Sequence, residues 1–148
     1  MLSFRAKIGA AAALAVLSMT TASLAQPAGK LSITVTGARN GDGVVRCALF
    51  NSPAAFPKMG QQWRGVIAPL RAGAATCVFS GVPAGTYAVA FFHAEHNESD
   101  LTTGMFGKPQ QGYGFSNNAA GSFGPPNFNA AAFRYDGGNL ALQGSLTY

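Results

Sequence analysis

Thr86-Tyr87-Ala88-Val89-Ala90-Phe91-Phe92-His93 is the stretch that decides how this chain folds. Successive side chains of a strand point to opposite faces. Tyr87, Val89, Phe91 and His93 therefore share one face, and Ala88, Ala90 and Phe92 share the other. Both faces are apolar, so neither should meet bulk water. A strand of this kind sits centrally and is covered on both sides. One cover is an opposing sheet. The second is expected from the segment Ala94–Ala131, which runs for 38 residues with six Gly, three Pro and five Asn. A loop of that length in a compact domain is commonly functional or packed. Its rings (Phe106, Tyr113, Phe115, Phe123 and Phe128) are too many for a disordered linker. The segment reads as an ordered cap, with small Ala88 and Ala90 leaving room for its aromatics. Phe106, Tyr113, Phe115, Asn117, Asn118 and Phe123 are the candidates for lining a ligand groove beneath it.

The flanking sequence also reads as strands. Leu31, Ile33 and Val35 alternate with Ser32, Thr34 and Thr36. Asn40-Gly41-Asp42-Gly43 is a turn signal, and Val44–Phe50 follows with Val45, Cys47 and Leu49 on one face. Pro53 and Pro57 break the next stretch. Gly65–Leu70 is a strand that Pro69 confines to a sheet edge. Ala74–Ser80 follows, then the turn Pro83-Ala84-Gly85, then the decisive strand. Phe133–Tyr135 and Leu140–Leu146 close the domain around Asp136-Gly137-Gly138. No amphipathic helix is apparent outside the leader. About seven short strands predict an all-β, immunoglobulin-like or transthyretin-like β-sandwich with a long ordered cap at about 94–131.

Residues 1–25 read as a signal peptide, leaving 26–148 as a single β-sandwich domain. Arg5 and Lys7 are the charged start, Ile8–Met19 the apolar run and Ser23-Leu24-Ala25 the cleavage site. The apolar run falls short of the ~20 residues that span a bilayer. No Cys stands directly after the cleavage site, which argues against a lipoprotein anchor, and no second apolar stretch exists, so no membrane span is expected after cleavage. A periplasmic or secreted location follows. In such a compartment Cys47 and Cys77 are expected to form a disulfide, since no C-x-x-C pair suggests redox work. Cleavage leaves eight basic residues against five acids, lowering the net charge from +5 to +3. The eight are scattered, which argues against a nucleic-acid partner.

Titratable residues crowd one place. His93, Glu95, His96, Glu98 and Asp100 hold both His and three of the five acids of the chain. Imidazole with carboxylate suits Zn, Cu or Ni better than Ca, so these five are the candidate ligands of a divalent metal. The alternative is a solvated loop tip. No G-x-S-x-G elbow, phosphate-cradling loop or free nucleophilic Cys is present. A catalytic residue is therefore not assigned, and a small metal-dependent hydrolase would have to use the same loop.

Pro83-Ala84-Gly85-Thr86-Tyr87-Ala88-Val89 resembles the P-x-G-x-Y-x-V hairpin of transthyretin-like and carboxypeptidase-regulatory-like domains. Gly112-Tyr113-Gly114-Phe115-Ser116-Asn117-Asn118-Ala119 and Gly121-Ser122-Phe123-Gly124-Pro125-Pro126 are more specific. With Val45-Arg46-x-Ala48-Leu49-Phe50, they make residues 31–146 similar to the bacterial exported family called domain of unknown function 2141. The resemblance implies an envelope β-sandwich and no established activity. It also implies a calcium-like loop, H-D-x-N-x-N-G-x-L-D, after the strand's His. Here Ala94, His96, Glu98, Ser99 and Thr102 replace its Asp, two Asn, Gly and final Asp. That loop is not carried over. The expected role is a non-catalytic binding or interaction module taking a glycan, peptide or envelope partner. Metal binding at His93–Asp100 is the alternative.

Overall fold

The computed structural model describes residues 29–148. The leader expected at 1–25 lies outside the described residues. Eight strands run in the order β1 (Lys30–Thr36), β2 (Val44–Phe50), β3 (Arg64–Pro69), β4 (Ala75–Ser80), β5 (Gly85–Ala94), β6 (Tyr113–Phe115), β7 (Phe133–Tyr135) and β8 (Leu140–Ser145). They form two sheets. The smaller has the order β4-β1-β8, with β1 antiparallel to β4 and parallel to β8. The larger has the order β3-β2-β5-β6, and β7 also pairs with the start of β5.

The expected alternation builds the core between the sheets. Leu31, Ile33 and Val35 of β1 face Val45, Cys47 and Leu49 of β2 and Tyr87, Val89 and Phe91 of β5. Cys47 and Cys77 form the expected disulfide, joining β2 of one sheet to β4 of the other across a Cα–Cα distance of 6.5 Å. In the chain-entropy account, closing its 30-residue separation contributes about 3–4 kcal/mol. Two glycines admit the Phe91 ring. A Cβ at Gly114 of β6 would lie 2.5 Å from that ring and 2.6 Å from the Ser145 carbonyl oxygen. One at Gly144 of β8 would also lie 2.5 Å from the ring.

β5 is central, as its two apolar faces predict. It pairs with β2 on one side and with β6 and β7 on the other. Its second face is covered at one end by Phe56, Phe115, Phe128 and Ala131, packed on Phe50 and Ala88. Phe56 is the hub, with ring centroids 5.3 Å from Phe50 and 5.8 Å from both Phe115 and Phe128.

Three details differ from expectation. The sequence predicts about seven strands; the eighth is β6, whose Tyr-Gly-Phe is too short to show a period and forms because the β5 edge offers it partners. A four-residue helix, α1 (Phe128–Ala131), lies inside the cap, started by the Asn127 side chain accepting from the Ala130 N–H. The cap is also shared, because Phe56 reaches it from the β2–β3 connection. Pro69 behaves as expected, since β3 is an edge strand.

Candidate functional site

The candidate site is a groove on the outer face of the larger sheet, and cross-strand register explains it. Residues directly opposite one another share a face. One transverse row reads Ile67–Arg46–Phe92–Tyr113 across β3, β2, β5 and β6. The next row reads Gly65–Ala48–Ala90–Phe115. Beyond it, Phe50 and Ala88 lie under the Phe56 cluster. Three small side chains between two bulky rows leave a trough. Pro57, Met59 and Gln62 of the β2–β3 connection and Leu101, Thr103, Lys108 and residues 121–125 of the cap also line it. The groove measures about 710 Å³, within the range typical of ligand pockets.

Its polar groups are few. Arg46 and Lys108 are the charged residues of the lining, which contains no acid. Among the described residues, Arg46 Nε and Gln62 Oε1 are buried side-chain atoms with no hydrogen-bond partner. Both residues line the groove. A buried donor or acceptor left unpaired costs about 1–3 kcal/mol, so these two leave the groove lining with unmet hydrogen-bonding capacity.

The expected groove residues divide. Tyr113, Phe115 and Phe123 line it, although Phe123 is fully exposed at its mouth. The side chain of Phe106 is outside the described part. Asn117 and Asn118 hold the cap instead. Asn117 Nδ2 donates to the carbonyls of Ala130 and Ala132 at 3.3 and 2.8 Å, and Asn118 Oδ1 accepts from Ser145 N at 3.1 Å. Both adopt the left-handed conformation that Asn tolerates. Their neighbour Ser116 is fully buried, accepts from Val89 N at 2.9 Å and donates to the Ala131 carbonyl.

The His93–Asp100 residues do not converge. His93 is completely buried at the end of β5. Its Nε2 lies 2.6 Å from the Asp42 carbonyl and its Nδ1 2.7 Å from the Tyr148 hydroxyl. A carbonyl only accepts, so Nε2 donates to Asp42, while Nδ1 pairs with the Tyr148 hydroxyl and lies 3.7 Å from Glu95 Oε1. Tyr148 in turn accepts from Arg39 N at 3.1 Å. Glu95 is gripped by the Arg39 guanidinium at 2.5 and 3.0 Å. That hydrogen bond holds its carboxyl below the ordinary value, against the opposing effect of burial.

Glu98 takes the His96 backbone N–H at 2.9 Å and faces its ring at 3.2 Å. Burial pushes the Glu98 carboxyl up, but its own N–H, the His96 backbone and ring, and Gln111 outweigh it and hold the carboxyl at about 2. Asp100 is exposed and meets only Ser99 Oγ at 3.5 Å. A metal ligand needs a free lone pair aimed at a shared point. Both His93 nitrogens are committed, and Ala94 stands where a calcium loop needs its first carboxylate. Among the described residues, no group of three or more His, Cys, Asp or Glu is placed to hold a metal ion.

Reading the sequence alone missed Arg46, Ala48, Met59, Gln62 and Gly65. The available signal was that Arg46 and Ala48 share the outward parity of β2, opposite a small residue at Ala90. Among the described residues no helix is long and apolar enough to cross a membrane. No curated protein and no solved structure matches the chain. A family model described as "Uncharacterized protein conserved in bacteria (DUF2141)" matches residues 33–143, from β1 into β8. That span covers most of the chain, including both sheets and the groove, and the protein belongs to this family.

Proposed function

We propose that the protein is a non-catalytic binding module of the bacterial envelope, taking a small, largely apolar ligand into the groove on the larger sheet. The groove itself carries this reading. Its floor is of aromatic and small aliphatic residues, its rim adds a limited set of polar side chains, and a rigid β-scaffold holds them. The inter-sheet disulfide and the leader-like start of the sequence suit an oxidising compartment outside the cytoplasm. Among the described residues the groove lining holds no His, free Cys or acid, which suits binding rather than turnover.

The test is a fluorescence titration with the aromatic anion 1-anilinonaphthalene-8-sulfonate, on wild type and on Gly65→Phe. A Cβ at Gly65 meets nothing closer than 3.8 Å, so the ring enters the trough without backbone strain. Wild type should bind saturably at one site. The filled variant, with an unchanged melting temperature, should lose at least about tenfold in affinity, or ~1.4 kcal/mol. Equal binding by both proteins would remove the groove as the site.

A further inference from the structure

We propose that the groove selects an acyl chain ending in a carboxylate, with the anion on Arg46 and a neighbouring N–H or O–H on Gln62. This deepens the binding reading above and rests on it. Three observations carry it. The first is shape. The trough follows one transverse row, Gly65–Ala48–Ala90, over three strands. Strand spacing makes that roughly 10 Å long, and the Phe115 ring closes its far end. A floor of small apolar residues of that length accommodates an acyl chain lying along it.

The second is charge. Arg46 stands at the border of the slot, its stem held in register between Ile67 and Phe92. Among the described residues no carboxylate lies within ion-pair distance of it. Glu95 belongs to Arg39 and Glu98 to His96. The other charge of the lining, Lys108, has the same sign. A guanidinium among apolar walls with no internal counter-ion is matched by a carboxylate, whose oxygens take its planar N–H groups.

The third is the pair of unpartnered atoms. Arg46 Nε is a donor and Gln62 Oε1 an acceptor. A bare fatty acid satisfies only the first. An N-acyl amino acid or a hydroxy acid satisfies both, presenting the carboxylate beside its own N–H or O–H.

The experiment displaces 1-anilinonaphthalene-8-sulfonate from the full chain with four probes below their micellar concentrations. These are N-decanoylglycine, decanoate, N-decanoylglycine methyl ester and decyltrimethylammonium. N-decanoylglycine should bind tightest and decanoate next. The ester and the ammonium should be weaker than N-decanoylglycine by at least about tenfold. Arg46→Met should abolish the preference for acid over ester, and Arg46→Lys should retain part of it. Gln62→Ala should erase the advantage of N-decanoylglycine over decanoate. An ester that binds as well as its acid, or an acid preference surviving in Arg46→Met, would overturn the proposed ligand class while leaving the groove a binding site. So would a dye that binds the groove and is displaced by none of the four. A wild type that binds no dye would overturn the binding reading as well.

Discussion

The His93–Asp100 loop and the trough behind Arg46 lie at opposite extremes of chemical promise and chemical use. The loop collects imidazoles and carboxylates, and the folded chain spends nearly all of them on itself. His93 is closed between Asp42 and Tyr148, Glu95 is held by Arg39, and Glu98 by His96. The trough is made of Gly, Ala and a few rings, yet it keeps a guanidinium nitrogen and an amide oxygen unpaired. A site is marked by what remains unsatisfied after folding, not by how many titratable residues a segment holds. On this account the loop is a structural clasp and the trough receives the ligand.

The sharpest way to break that contrast is His93→Ala. It empties a fully buried position and strips partners from the Asp42 carbonyl and the Tyr148 hydroxyl. The expected cost is about 2–4 kcal/mol, read by urea denaturation, with the dye affinity of the folded protein unchanged. A His93 variant of normal stability that lost binding would reverse the two assignments. Next in size is Ala90→Leu, which puts a side chain into the second small position of the trough. It should weaken dye binding about tenfold, and the melting temperature should move little because Ala90 is only half-buried on the trough floor.

The contrast also shows how much was legible beforehand. The strand at 86–93 was readable because both parities are apolar, and the inter-sheet disulfide because two cysteines stand in strand-like runs of a chain that opens with a leader-like segment. The cap was readable from its rings. The trough was not, because it needs cross-strand neighbours. Ala48 becomes a floor residue only when Gly65 and Ala90 lie beside it, and the register that puts them there is long-range. Phe56 was missed for the same reason. It sits in a Pro-broken connection and acquires its role only by meeting Phe115 and Phe128. Asn117 and Asn118 were assigned to the ligand because amide side chains suit both recognition and turn-holding, and only the left-handed backbone tells the two apart.

A smaller effect sharpens the loop's role. The Glu98 carboxyl has an ordinary value of 4.5 and titrates at about 2 in the fold. Its contribution to stability is complete above 4.5 and is lost as pH falls from there towards 2. Glu98→Gln should therefore lower stability modestly at neutral pH and flatten the loss between those two values, seen in melts across the acid range. An acid limb of unchanged steepness would show that the His96–Glu98 contacts do not act in solution. The smallest effect concerns metal. Adding Ca, Zn, Cu or Ni, or removing ions with EDTA, should leave the melting temperature within about 1 °C, where a ligand at 100 times its Kd adds about 2.7 kcal/mol. A shift of several degrees that disappears in His96→Ala/Glu98→Ala would make the loop a metal site.

The central claim, that the trough receives the ligand while the loop serves the fold, is tested most directly by amide chemical-shift mapping during titration with N-decanoylglycine. The account predicts saturable shifts at Arg46, Ala48, Gly65, Ala90, Phe92 and Phe115, with residues 96–100 undisturbed. Shifts centred on 93–100, with a silent trough, would contradict it.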